Sequence, residues 1–252
     1  MDKGTYDSLG QQQTANTKVF TWWVLLAQVS GLTAVVLVAV WMGHFRGGFA
    51  WTEKPGIEFN YHPLFMIIGM VFLYSDAILV YRVFRNERKL YIKILHAVLH
   101  ILALIFAVVA LKAVFDSHNL PAKPFANLYS LHSWVGLTTV ILFGLQWTLG
   151  FVGFLFPKFN AGTREVMLPM HKYFGIAIFA MAIVSAISGI TEKLIFTFAG
   201  EYSKKGTEAI LANCLGLVLV FHGLIVGYII TNSNWKRQPL PEEETMQLTG
   251  TQ

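Results

Sequence analysis

Long apolar runs alternate with short polar joints along this chain. Val19 to Met42 is an uncharged run of 24 residues, longer than the roughly 20 residues that carry a helix across a hydrocarbon core. The same criterion gives five further spans: Tyr61 to Tyr81, Ile94 to Phe115, Leu131 to Phe156, His171 to Phe198 and Ile210 to Ile230. The pattern predicts an all-α polytopic membrane protein of six transmembrane helices. It has a polar lead at 1–18, a membrane domain at 19–231 and a tail at 232–252. Six crossings put both termini on one side. The polar lead and the length of the first run argue against a cleaved signal peptide. The tail from Asn232, with its Pro-Leu-Pro-Glu-Glu-Glu run, is expected to be disordered.

Composition agrees, with 55% hydrophobic and only 13% charged residues in 252, a balance that excludes a water-soluble domain of this length. Twelve of the 19 Lys and Arg residues flank the side that holds the termini and seven flank the other. By the positive-inside rule the termini are cytosolic. The net charge of +5 therefore reports topology and gives no support for nucleic-acid binding. The single cysteine, Cys214, lies inside the sixth span. No intramolecular disulfide can form, and the haem-attaching Cys-x-x-Cys-His pattern is absent. With no Gly-rich dinucleotide fingerprint either, reducing power must come from a small diffusible donor or a partner protein.

The candidate chemistry lies in the histidines. His62 and His132 begin the second and fourth spans, which run inward, while His96 and His171 lie near the start of the third and fifth, which run outward. Paired ligands at matched depths on the two sides are the layout of two stacked bis-histidine haems, non-covalent and therefore b-type. A haem ligated from both faces has no open position and favours electron transfer over oxygen chemistry. At 1.5 Å rise per residue the two layers should lie roughly 20 to 25 Å apart. His100 competes with His96 from one turn deeper but matches the depth of His171 less well. It reads as a packing or pocket residue, and His222 and the loop residue His44 read as structural. Asp76, in the second span, has no assignment.

Charge marks a second feature. Lys89 and Lys93 share a helical face before His96, and Arg164 faces them from the loop before His171. The group suits a small organic anion, or else is ordinary charge near lipid headgroups.

The segments Glu58–Pro63 (EFNYHP), Val80–Glu87 (VYRVFRNE), Asn127–Gly136 (NLYSLHSWVG), Thr191–Phe196 (TEKLIF) and Trp235–Arg237 (WKR) resemble the cytochrome b561 family, especially its animal members, over about 43–237. The resemblance implies a four-helix haem-binding core of helices 2–5, with His62 paired to His132 and His96 to His171. It implies two haem b per chain, passing electrons from cytosolic ascorbate to ferric iron or monodehydroascorbate outside. It points to Lys89, Lys93 and Arg164 as ascorbate contacts and to Arg82 and Lys236 at the inner haem propionates. Around the outer haem it points to Asn127, Tyr129, Ser130 and Glu192, although Glu192 could instead pair with Lys193. His118, beside Asn119 in the outer loop, matches a position of the family's outer substrate site; otherwise it is a solvent-exposed histidine. Family members are commonly homodimers. Secretory vesicle, late endosome or lysosome, and plasma membrane are all compatible. Two other classes stay open: a haem-bearing membrane anchor of a multi-subunit dehydrogenase, and a non-redox helical transporter in which the histidines handle substrate or protons.

Overall fold

The computed structural model describes residues 3–204, 206–240 and 243, with side chains from Asn16 onward. Among the described residues every regular element is helical, and six helices are long and apolar enough to cross a membrane. The first is Lys3–Val40, continued by a wide π-turn at Trp41–Phe45 that takes in His44, expected in a loop. The second span, Pro55–Val83, contains a π-turn at Ile67–Leu73. The others are Lys89–Asn119, Leu131–Phe154, Ala161–Phe198 and Thr207–Thr231.

The fifth helix departs most from the expected bounds. It starts at Ala161, capped by the Asn160 side chain on Thr163 N, and runs through Pro169. His171 is therefore in its third turn rather than its first. The ten preceding residues include Arg164 and Glu165, so an apolar-run criterion stops short of them although the backbone is already helical. The same happens in the third helix, where Lys89 opens the helix seven residues before His96.

Helices two to five form a closed ring: the second packs on the third, the third on the fourth, the fourth on the fifth and the fifth back on the second. Small residues let the backbones approach. Ala103, Ala107 and Ala110 are fully buried on the third helix, and a Cβ on Gly69 would stand 2.8 Å from the Ala103 carbonyl oxygen. The first and sixth helices pack on each other and flank this ring. Polar contacts join these two helices to each other and to the ring. Ser30 Oγ and His222 Nδ1 are 2.9 Å apart, and Gln28 Nε2 donates to Asp76 Oδ1 at 2.6 Å. Asp76 thus joins the first helix to the second, and buried His222 joins the sixth to the first.

The tail corrects an expectation. Residues 232–240 are not disordered. Trp235 is 2% exposed, sits against Phe20 and Tyr228, and donates Nε1–H to Asn16 Oδ1 at 2.7 Å. An indole with a satisfied N–H is a strong apolar anchor, which a composition-based reading of a Pro- and Glu-rich segment misses. The expected disorder at 241–242 and 244–252 falls outside the described residues.

Candidate functional site

The ring brings the four histidines together as two diagonal pairs. His62 of the second helix faces His132 of the fourth, ring centroids 6.1 Å apart and planes at 84°; His96 of the third faces His171 of the fifth at 6.2 Å and 64°. Two imidazoles bound through Nε2 to one metal, with bonds of about 2.0 Å and ring centres about 1.1 Å beyond the nitrogens, stand about 6.2 Å apart. Both pairs therefore have a spacing that would fit one metal ion held between the two imidazoles.

Tautomers follow from the partners. His62 Nδ1 meets the Ala110 carbonyl at 3.2 Å, His96 Nδ1 the Ala77 carbonyl at 2.7 Å and His132 Nδ1 the Ser185 carbonyl at 2.9 Å. A carbonyl only accepts, so Nδ1 carries the proton in each ring and Nε2 keeps its lone pair for a metal. Glycines make room for two of the rings. A Cβ on Gly189 would lie 2.6 Å from His132 Cε1, and one on Gly150 would lie 2.8 Å from His171 Cε1.

The same contacts give a ruler between the layers. On the third helix His96 belongs to one layer and Ala110, which holds His62, to the other; on the fifth, His171 belongs to one and Ser185, which holds His132, to the other. Each interval is fourteen residues, about 21 Å of helix. Between the layers lies an aromatic block: Tyr74 rests 4.8 Å from His100, 4.9 Å from Phe143 and 5.4 Å from Phe179, its hydroxyl donating to the Gly175 carbonyl. His100 is buried in this block, 4.4 Å from His96, on the packing side of the inner pair.

A cavity of about 570 Å³ surrounds the His62–His132 pair. Its wall includes Asn127, Tyr129, Ser130, Glu192 and His118, so the residues expected at the outer haem do converge there. Ser130 caps the fourth helix through Ser133 N and donates to Glu192 Oε2 at 2.9 Å. The alternative of a Glu192–Lys193 pair is not realised, since Lys193 Nζ instead lies 4.0 Å above the Phe59 ring. His118 and Asn119, expected in the outer loop, lie in the last turn of the third helix, and Asn127 ties the loop to that turn: its Oδ1 is 3.1 Å from His118 Nδ1 and its Nδ2 donates to Asn119 Oδ1 at 2.8 Å.

At the other end of the ring Lys93 stands in the electrostatic reach of Lys89, Arg164 and Lys158. Lys93 Nζ donates to the Phe154 carbonyl at 2.9 Å, and Arg164 keeps a buried Nε–H with no partner in the described structure. Lys158, held at φ 75° just after the fourth helix, was absent from the sequence-based set. Its signal was only another loop charge, which spacing does not connect to Lys93.

Lys236, Arg82 and Lys89 each come within electrostatic reach of Lys172. Arg82 is already engaged, donating to the carbonyls of Asn232 and Ile230 at the end of the sixth helix. The tail adds an acid. Glu243 accepts from both terminal nitrogens of Arg237, from Leu240 N–H and from Lys89 N–H at the start of the third helix. The Arg237 guanidinium holds its carboxyl down at about 2.

Residues 61–197, which contain all four paired histidines, match the family model described as eukaryotic cytochrome b561. The chain is 47% identical over 227 residues, covering 90% of itself and 88% of the relative, to a transmembrane ascorbate-dependent reductase of Sus scrofa. A protein of that name from Homo sapiens is 44% identical over 239 residues, 95% and 94% of the two chains. A lysosomal membrane ascorbate-dependent ferrireductase of Mus musculus is 46% identical over 212 residues, 82% and 86% of the two chains.

Proposed function

The chain belongs to the eukaryotic cytochrome b561 family, and from that membership we propose that it is an oxidoreductase carrying electrons from ascorbate on one side of a membrane, through two b haems, to ferric iron or monodehydroascorbate on the other. The observation that carries this reading is the pair of diagonal histidine contacts, equal in spacing and about 21 Å apart along the helices. When bound, a haem between two imidazoles supplies reversible one-electron chemistry with no open coordination position.

The chain's own residues do the rest. Backbone carbonyls fix three of the imidazoles with Nε2 inward, and Gly150 and Gly189 let the rings of His171 and His132 seat. The aromatic block of Tyr74, Phe143 and Phe179 keeps water out of the interval and sets its length. Ascorbate is a monoanion at neutral pH. Lys89, Lys93, Arg164 and Lys158 draw it to the inner pair, and the unpartnered Nε–H of Arg164 is a donor kept for it. Arg82, with Lys236 nearby, serves the inner propionates. Asn127, Tyr129, Ser130 and Glu192 serve the outer haem, and His118 with Asn119 receives the acceptor.

Charge distribution supports cytosolic termini, and the family resemblance supports a homodimer. A lysosomal relative supports an endosomal or lysosomal membrane, with the secretory vesicle and plasma membrane as alternatives. The test is protein in liposomes loaded with ascorbate, with impermeant ferric chelate or monodehydroascorbate outside. Electron transfer to at least one acceptor is expected, and none to either would refute the proposal.

A further inference from the structure

One fully buried acid takes no part in this scheme. Glu58 is 0% exposed, ends the short helix Pro55–Glu58 one turn before His62, and has no hydrogen-bond partner for either carboxyl oxygen in the described chain. The charged groups that face it all come from the third helix. Lys112 Nζ lies 3.7 Å from Oε1, and Asp116, which holds the same ammonium more tightly, brings its carboxyl within hydrogen-bonding reach of Glu58. Lys193, from the fifth helix, is turned to the Phe59 ring instead.

Ionised beside Asp116, Glu58 would place a charged carboxylate at a position with no exposed surface and no hydrogen-bond donor on either oxygen, and the one ammonium nearby is already held by Asp116. A proton held between the carboxyls removes that conflict, because the protonated group donates its O–H to the other. We propose that Glu58 and Asp116 form a proton-sharing carboxyl pair, a proton-binding site that supplies the outer half-reaction when the acceptor is an organic radical anion. The pair exists independently of the electron-transfer reading, but its use rests on that reading.

The balance distinguishes the two acceptors. Monodehydroascorbate, a radical anion, takes one electron from the outer haem layer and one proton from the pair to give the ascorbate monoanion. Both carboxyls are then ionised beside Lys112, and one proton returns from water through Asp116, whose side chain is 26% exposed. Ferric iron takes the electron alone and becomes ferrous. Position favours the transfer: Asp116 and His118 share the last turn of the third helix, and His118 is on the cavity wall.

Glu58→Gln keeps a donor toward Asp116 but no shareable proton, and Asp116→Asn does the same from the other side. Infrared spectra of the wild type in vesicles should contain a deuterium-sensitive protonated-carboxyl band that both variants lose. In ascorbate-loaded liposomes, reduction of external monodehydroascorbate should fall several-fold relative to reduction of external ferric chelate. A band absent from the wild type or kept in both variants, or an unchanged ratio of the two rates, would overturn the proposal. Wild-type liposomes that transfer no electrons would refute the transport reading instead, while the infrared band still decides whether the pair exists.

Discussion

Gly189 and His132 fit against each other with no room for a side chain: a Cβ on Gly189 would stand 2.6 Å from Cε1 of a ring whose Nδ1 is fixed by the Ser185 carbonyl. A glycine inside a helix costs about 0.5 to 1 kcal/mol relative to alanine. Here the missing side chain lets an imidazole seat against the helix backbone. Gly150 does the same for His171 at 2.8 Å.

Alanine at Gly189 should therefore turn His132 away from His62 and empty the outer layer, while alanine at Gly150 should empty the inner one. Each variant is expected to lose about half of its haem absorbance per chain and to keep the other layer's spectrum. Full haem content in both would show that the rings have more freedom than this packing allows.

The basic group at the inner pair should bind the donor through charge. Lys93→Ala, Arg164→Ala and Lys158→Ala are each expected to raise the ascorbate concentration that half-saturates haem reduction, with haem content retained. Contacts contributing about 0.5 to 1.5 kcal/mol apiece correspond to roughly two- to tenfold, shrinking as salt screens them. Lys93→Arg should lose less than Lys93→Ala. Stopped-flow reduction over a range of ascorbate and salt concentrations checks this, and unchanged concentration dependence in all three alanine variants would return these residues to a topological role.

Much of this was readable in advance, and the failures have physical causes. Six spans and four paired histidines follow from apolar runs and helical depth, because the bilayer imposes length and satisfies no backbone polar group. The start of the fifth helix was not readable: Asn160 caps it in a polar stretch that an apolar-run criterion leaves out. The order of residues 232–240 was missed because it depends on Trp235 meeting Asn16 at the other end of the chain. Lys158 and the partners of Glu58 come together only through tertiary packing, which no local spacing encodes. Gly150 and Gly189 carried a weak signal, as glycines inside apolar helices that require a reason.

Docking of the tail should follow the ionisation of Glu243. Its carboxyl is held at about 2 by Arg237, against an ordinary 4.5. A lowered folded-state value means that the contact's contribution is complete above the unfolded value and is lost as pH falls through the folded one. Hydrogen exchange at residues 236–240, taken relative to each amide's intrinsic rate at the same pH, should therefore stay slow at pH 5 and accelerate as pH approaches about 2. Glu243→Gln should accelerate it already at neutral pH. Equal exchange in wild type and variant would show that Trp235 alone holds the segment.

The account stands most directly on two separate haem layers, and haem counting by pyridine haemochrome tests that. Wild-type protein should hold two b haems per chain. His62→Ala or His132→Ala should leave the inner haem alone, and His96→Ala or His171→Ala the outer. His62→Ala combined with His171→Ala should leave none. One haem per chain in fully loaded wild type, or the loss of both from any folded single variant, would contradict it.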